Sequence, residues 1–133
     1  SMNKRAEIHY EVDGRTTYAT IDKVWTEMFD MLDSLERKRR DREPHIHPKY
    51  YKLLHAAKIP ETVTASATCD ERDEFIEEKG KEIARDKLLK KMAKIKKKYL
   101  TTYLAELEGE FEVINMAIER QNNRIAEIEQ RNH

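Results

Sequence analysis

The sequence predicts an α+β fold, predominantly α: a small N-terminal β-hairpin and helix, a middle strand, and a long, coiled-coil-like C-terminal helix. Three observations predict it. Of 133 residues, 39% are charged and 38% hydrophobic, against about 25% and 45–50% in an ordinary globular domain. Ala, Glu, Lys, Arg and Leu supply 64 residues, close to the half that marks long helices. No proline follows Pro60. Three Gly and three Pro leave little chain for loops, which excludes a β-sandwich, a Gly-rich nucleotide fold and a collagen-like chain. Cys69, the only cysteine, excludes a disulfide framework within the chain.

The first region spans residues 1–73, with a hairpin over 6–20, a helix over 21–42, a loop over 43–49 and a strand over 61–69. AEIHYEV and TTYAT are β-favouring runs around Asp13-Gly14, the dipeptide that type I′ turns prefer because both central residues need positive φ. Ile8, Tyr10 and Val12 then share one face. From Ile21 the period changes. Val24, Trp25, Met28, Phe29, Leu32 and Leu35 recur at three and four, an amphipathic helix with Thr20 as its expected N-cap. Arg37 to Arg40 suit its C-terminus, where unsatisfied carbonyls present negative charge. Pro44 and Pro48 bracket His45-Ile46-His47 and hold that stretch extended. A short helix is expected over Tyr50–Lys58, stopped by Pro60. Val63, Ala65, Ala67 and Cys69 alternate with Thr62, Thr64, Ser66 and Thr68, the pattern of a half-buried strand.

The second region, 74–133, reads as one long helix for self-association. Unbroken over some 57 residues it would run roughly 85 Å; a hairpin bending at Gly109 is the alternative. Leu100, Leu104, Leu107, Phe111, Ile114, Ile118, Gln121, Ile125 and Ile128 alternate spacings of four and three, which is four heptads with one polar interruption. Leu88, Met92, Ile95 and Tyr99 carry the same spacing in a shifted frame, so a stutter is expected near Tyr103. A seam this long implies an interaction surface, and another copy of the chain is the expected partner, as an antiparallel dimer or higher oligomer.

Charge supports that orientation. Residues 61–80 carry a balance of −5, residues 81–98 of +7 and residues 99–133 of −4. A parallel pair sets the +7 stretch beside its twin, whereas an antiparallel pair centred near Leu104 to Leu107 sets Lys90 opposite the region of Glu119 and Glu127.

The candidate binding surface is basic. Lys87, Lys90, Lys91, Lys94 and Lys98 share one helix face, a row about 16 Å long that suits several phosphates. Its plainer explanation is a solvated face paired with acidic residues of a neighbour. Arg37, Arg39 and Arg40 form a second cluster that would extend the row if the two met in space. Without an arginine fork or stacking aromatic beside the lysines, sequence-specific readout is not expected. His45 and His47, with His55 or Cys69, match no recognised zinc spacing, so no metal and no cofactor are expected. Cys69 reads as a buried structural cysteine rather than a nucleophile, and no catalytic residue is assigned. No apolar run reaches the ~18 residues of a membrane span. The opening SMNKRAEIHYEV lacks a signal peptide's apolar stretch, so a soluble, cytoplasmic protein is expected.

The stretch from Val63 to Ala84, VTASATCDERDEFIEEKGKEIA, resembles a recurrent segment in small uncharacterised proteins of phages and mobile elements of Gram-positive bacteria. There a strand ending in Cys is followed by D-x-F, a Gly, a helix carrying Ala and a basic helical stretch. The matching positions are Cys69, Asp73, Phe75, Gly80 and Ala84, with Lys87 to Lys98 following. Ile76-Glu77 stand where acidic and proline residues are usual, and the heptad tail is not typical of the group. About a quarter of the chain is covered. Physically the segment is a strand-turn-helix unit in which Asp73 caps the helix, Phe75 packs back on the strand and Gly80 permits close approach to another backbone. The resemblance implies a phage or mobile-element origin rather than an activity; a phage-type accessory protein of this size and build, in the host cytoplasm if phage-encoded, is expected to be non-catalytic and to block or capture a host component such as a defence factor. Nucleic-acid binding through the basic face is the rival expectation, and a small anionic ligand a further one.

Overall fold

The fold is that of a computed structural model describing residues 7–40 and 48–131, the side chains of 39, 40, 48 and 49 excepted. In chain order it comprises β1 (Ile8–Asp13), β2 (Thr16–Ile21), α1 (Val24–Arg40), α2 (Pro48–Ala56), β3 (Val63–Thr68) and α3 (Glu77–Arg131). The expected class, α+β and mostly α, is the one observed. Residues 41–47, His45 and His47 among them, lie outside the described residues, and α2 starts at Pro48, inside the loop expected over 43–49. Two compact units divide the chain, Ser1–Leu100 and Thr101–His133.

The first unit holds a three-stranded antiparallel sheet in the order β1-β2-β3. Its hairpin turns at Gly14-Arg15, one residue later than the sequence suggests. Only Gly14 has positive φ, at 60°, which fits a II′ turn rather than I′ because II′ needs it at the first central residue alone. Strand alternation divides the sheet cleanly. Thr17, Ala19, Ile21, Val63, Ala65 and Ala67 are buried on one face. On the other, Thr16 bonds Thr68 and Thr20 bonds Thr64 through their hydroxyls, each at 2.9 Å. Thr20 is thus a strand residue and not the N-cap of α1. The orphan amide of Val24 donates instead to the Glu61 carbonyl at 3.1 Å, as a helix start without a capping side chain requires.

Helix α1 buries Val24, Met28 and Leu32, and the Trp25 indole donates to the Ile59 carbonyl at 2.9 Å. Helix α2 begins at Pro48, where a missing amide costs nothing. It closes with Lys58 at φ 55°, whose amide donates to His55 while Ile59 donates to Leu54; these paired bonds are a Schellman closure without glycine.

In the first unit α3 lays Ala84, Leu88, Met92 and Tyr99 into the core. The Tyr99 hydroxyl donates to the Tyr50 carbonyl at 3.2 Å, and Lys96 pairs with Glu27 of α1 at 3.7 Å. Each fully buried Leu or Met here contributes roughly 1.5–3 kcal/mol, which the helix needs because half its surface is charged. The helix continues through Gly109 without a bend into a hairpin, since one glycine costs a long hydrogen-bonded ladder only about 1 kcal/mol. Its start also differs from expectation. Asp70 Oδ1 accepts the Arg72 amide at 2.9 Å and closes a turn over 70–73, so Asp73 sits in that turn and the helix begins at Glu77.

Candidate functional site

The basic row sits on α3 alongside the open edge of β3. Cys69 donates its amide to Arg15 across the β2·β3 ladder at 2.9 Å, so odd-numbered residues of β3 bond to β2. Strand alternation then turns the carbonyls of Thr64 and Ser66 outward. Lys91 Nζ donates to the Thr64 carbonyl at 2.7 Å and Lys87 Nζ to the Ser66 carbonyl at 3.2 Å. Two of the five lysines therefore cover a strand edge, a device that keeps edges from pairing with other chains. Lys90, Lys94 and Lys98 are exposed. Arg37 is joined to Asp33 one turn earlier on its own helix, at 3.4 Å. The side chains of Arg39 and Arg40 lie outside the described set.

A cleft of about 620 Å³ opens where β3 meets the start of α3. Arg15 organises it. Its guanidinium donates to the carbonyls of Cys69 at 3.3 Å, Asp70 at 2.7 Å and Asp73, and to the Cys69 sulfur at 3.4 Å. Cys69 is half-buried, more open than a core cysteine, because the strand ends at Thr68 and the turn carries it to the cleft. Among the described residues, the bonds of its sulfur run to Arg15 and to the carbonyls of Asp70, Asp73 and Glu74. Hydrogen bonds from the side chain and then the amide of Arg72 hold the Asp70 carboxyl below the usual carboxylate range. No three His, Cys, Asp or Glu among the described residues cluster to hold a metal ion, and no described helix is long and apolar enough to cross a membrane.

The buried hydroxyl of Thr17 has no hydrogen-bond partner among the described residues. It lies 2.6 Å from where a Cβ on Gly80 would stand, so sheet and helix approach here as closely as a missing side chain allows. Gly80 is expected to admit another backbone; what it admits is the Thr17 side chain, which leaves no linear signal.

The second unit is a helical segment on which no described residue from Leu104 onward is buried. Leu104, Phe111, Ile114, Ile118 and Ile125 are each between 54% and 56% exposed, and Ile128 is 42% exposed. Leu107 and Leu100 are intermediate. The apolar stripe thus divides near Tyr103, where the stutter is expected: Leu88, Met92 and Tyr99 are buried in the first unit's core, and the described seam residues beyond are not buried. The chain matches no known family model, no curated protein and no solved structure.

Proposed function

We propose that the protein is a non-catalytic, self-associating binding module whose folded first unit acts on a host component, as a phage-type accessory protein would. One observation carries this reading: an apolar seam of 25 residues, from Leu104 to Ile128, is left about half exposed. A monomeric soluble protein rarely leaves such a patch open. Sedimentation across a concentration series tests the reading. The wild-type chain is expected to associate, and Ile114→Glu with Ile118→Glu to sediment as a folded monomer. A wild-type chain that stays monomeric at every concentration refutes it.

Nucleic-acid binding is the second reading, favoured by the +7 stretch over residues 81–98 and by exposed Lys90, Lys94 and Lys98. Contact through five lysines would weaken on the order of a hundredfold or more between 50 and 200 mM salt. No retardation of DNA or RNA at low salt removes it.

A further inference from the structure

We infer that the occupant of the seam is a second copy running antiparallel, in the register that sets Ile114 against the partner's Ile118. The inference rests on the self-association proposed above and adds its geometry. With Ala84, Leu88, Met92 and Tyr99 buried in the first unit, these stripe residues before Leu100 are not available to a second chain. The expected centre near Leu104 to Leu107 therefore moves towards the C-terminus.

Placing Leu104, Phe111, Ile118 and Ile125 in one core row and Leu107, Ile114, Gln121 and Ile128 in the other leaves few antiparallel registers. One uses the whole exposed seam and nothing else. It pairs Leu104 with the partner's Ile128, Leu107 with the partner's Ile125, Phe111 with the partner's Gln121 and Ile114 with the partner's Ile118. Ala117 then faces its own copy beside the two-fold axis, and Glu110 flanks the partner's Arg124 twice. A shift of one heptad in one direction leaves Leu104 and Leu107 unpaired and sets Glu108 against the partner's Glu129. The opposite shift leaves Ile128 unpaired and calls on half-buried Leu100. Seven apolar seam residues with on the order of 100 Å² each still exposed would remove about 700 Å² per chain, close to the ~800 Å² per partner of a stable interface.

Charge selects the orientation. Residues 104–112 carry four glutamates and no base, while 120–131 carry Arg120, Arg124 and Arg131 against two glutamates. Antiparallel pairing lays the first stretch on the second. Parallel pairing lays each on itself, brings the two +7 stretches together at the start of the seam and forces two Phe111 rings into one layer.

The test uses the full chain with Cys69→Ser. Ile114→Cys and Ile118→Cys chains of different mass are mixed and oxidised. The inferred register brings these positions within disulfide reach, so the mixed disulfide is expected to exceed either homodimer at least tenfold. Prominent homodimer disulfides in each single variant, with the wild type still dimeric by sedimentation, overturn the antiparallel register and leave self-association standing. A charge exchange gives an independent arm. Arg124→Glu is expected to weaken the dimer about tenfold, and adding Glu110→Arg to restore it to within about threefold. A parallel dimer pairs Arg124 with Glu129 instead, so absence of rescue overturns the inference. A wild-type chain monomeric at roughly 100 μM, a hundredfold above a micromolar Kd, gives the seam to a foreign partner and overturns both proposals.

Discussion

Substituting Gly80 by Ala tests the close approach of α3 to the sheet, and the structure gives the size of the effect. In an unobstructed helix the change gains about 1 kcal/mol of propensity. At this position the new Cβ would stand 2.6 Å from Thr17 Oγ1 and 3.4 Å from Thr17 Cβ. Thr17 cannot turn aside easily, because it is β-branched and fully buried on the central strand, opposite Val12 and Ala67. Overpacking of this kind costs about 1–3 kcal/mol, so Gly80→Ala should lose up to about 2 kcal/mol net, about 1 kcal/mol at the middle of that range. Thr17→Ala removes both the obstruction and a buried hydroxyl without a partner, and in that background Gly80→Ala should gain about 0.5–1 kcal/mol. The two substitutions are therefore coupled by about 2 kcal/mol, a double-mutant-cycle value far above the scatter for independent sites. Urea unfolding followed by Trp25 fluorescence reads the first unit, provided chain concentration is held constant because association shifts apparent stability. A coupling below about 0.5 kcal/mol, or a stabilising Gly80→Ala alone, would refute the reasoning.

Three further outcomes follow from the same contacts. Arg15→Lys should lose about 1.5–2 kcal/mol, because an ammonium concentrates its three donors on one atom and cannot span the carbonyls that Nε and Nη2 of the guanidinium reach separately; a loss under about 0.5 kcal/mol in the same unfolding assay would mean the turn closes without it. Burial, and secondarily Tyr50, raises the Tyr99 phenol above its ordinary pKa of 10.0, so the contribution of Tyr99 is complete below pH 10 and is lost as pH rises beyond it. Stability above pH 10 should fall less steeply in Tyr99→Phe than in the wild type, and identical slopes would contradict the assignment. Lys87→Ala with Lys91→Ala should change unfolding free energy by less than about 1 kcal/mol, since both bonds are exposed, yet increase thioflavin-detected aggregation by uncovering the β3 edge. An unchanged aggregation rate removes the protective role.

Features with a local cause were readable from the sequence. The alternation of Val63 to Ala67 placed β3 within two residues, and heptad spacing marked both the buried stripe of α3 and the exposed one beyond it. Errors arose where a residue had two possible employers. Thr20 fits an N-cap by type, but pairing with Thr64 claims it for β2, and the cap comes from the carbonyl of Glu61, 37 residues away. Asp73 fits a cap as well, but the Asp70–Arg72 turn ends first and shifts the helix start to Glu77. The clip of Arg15 on Cys69, Asp70 and Asp73 spans 54 to 58 positions, and the lysine cover of β3 spans 21 and 27. Neither leaves a linear pattern, because each depends on which side of a folded sheet faces the helix.

The two edges of the sheet bear on how copies of this chain can meet. The β3 edge has its outward carbonyls of Thr64 and Ser66 occupied by lysines. On β1, the hydrogen-bonding groups of Ile8, Tyr10 and Val12 point away from β2, and among the described residues no strand pairs with that edge. Its exposed flank is acidic: Glu7, Glu11 and Asp13 lie on the solvent face with His9, which already sits 3.7 Å from Asp22. Setting one β1 antiparallel against another, with Tyr10 on the axis, brings Glu7 opposite the partner's Asp13 on both sides. Like charges directly opposite are unfavourable in a sheet. Strand addition between copies is thus opposed at one edge by bound lysines and, in this register, at the other by the Glu7–Asp13 pairs. A helix seam without charge in its core rows carries no such penalty, so a second copy gains most along Leu104 to Ile128.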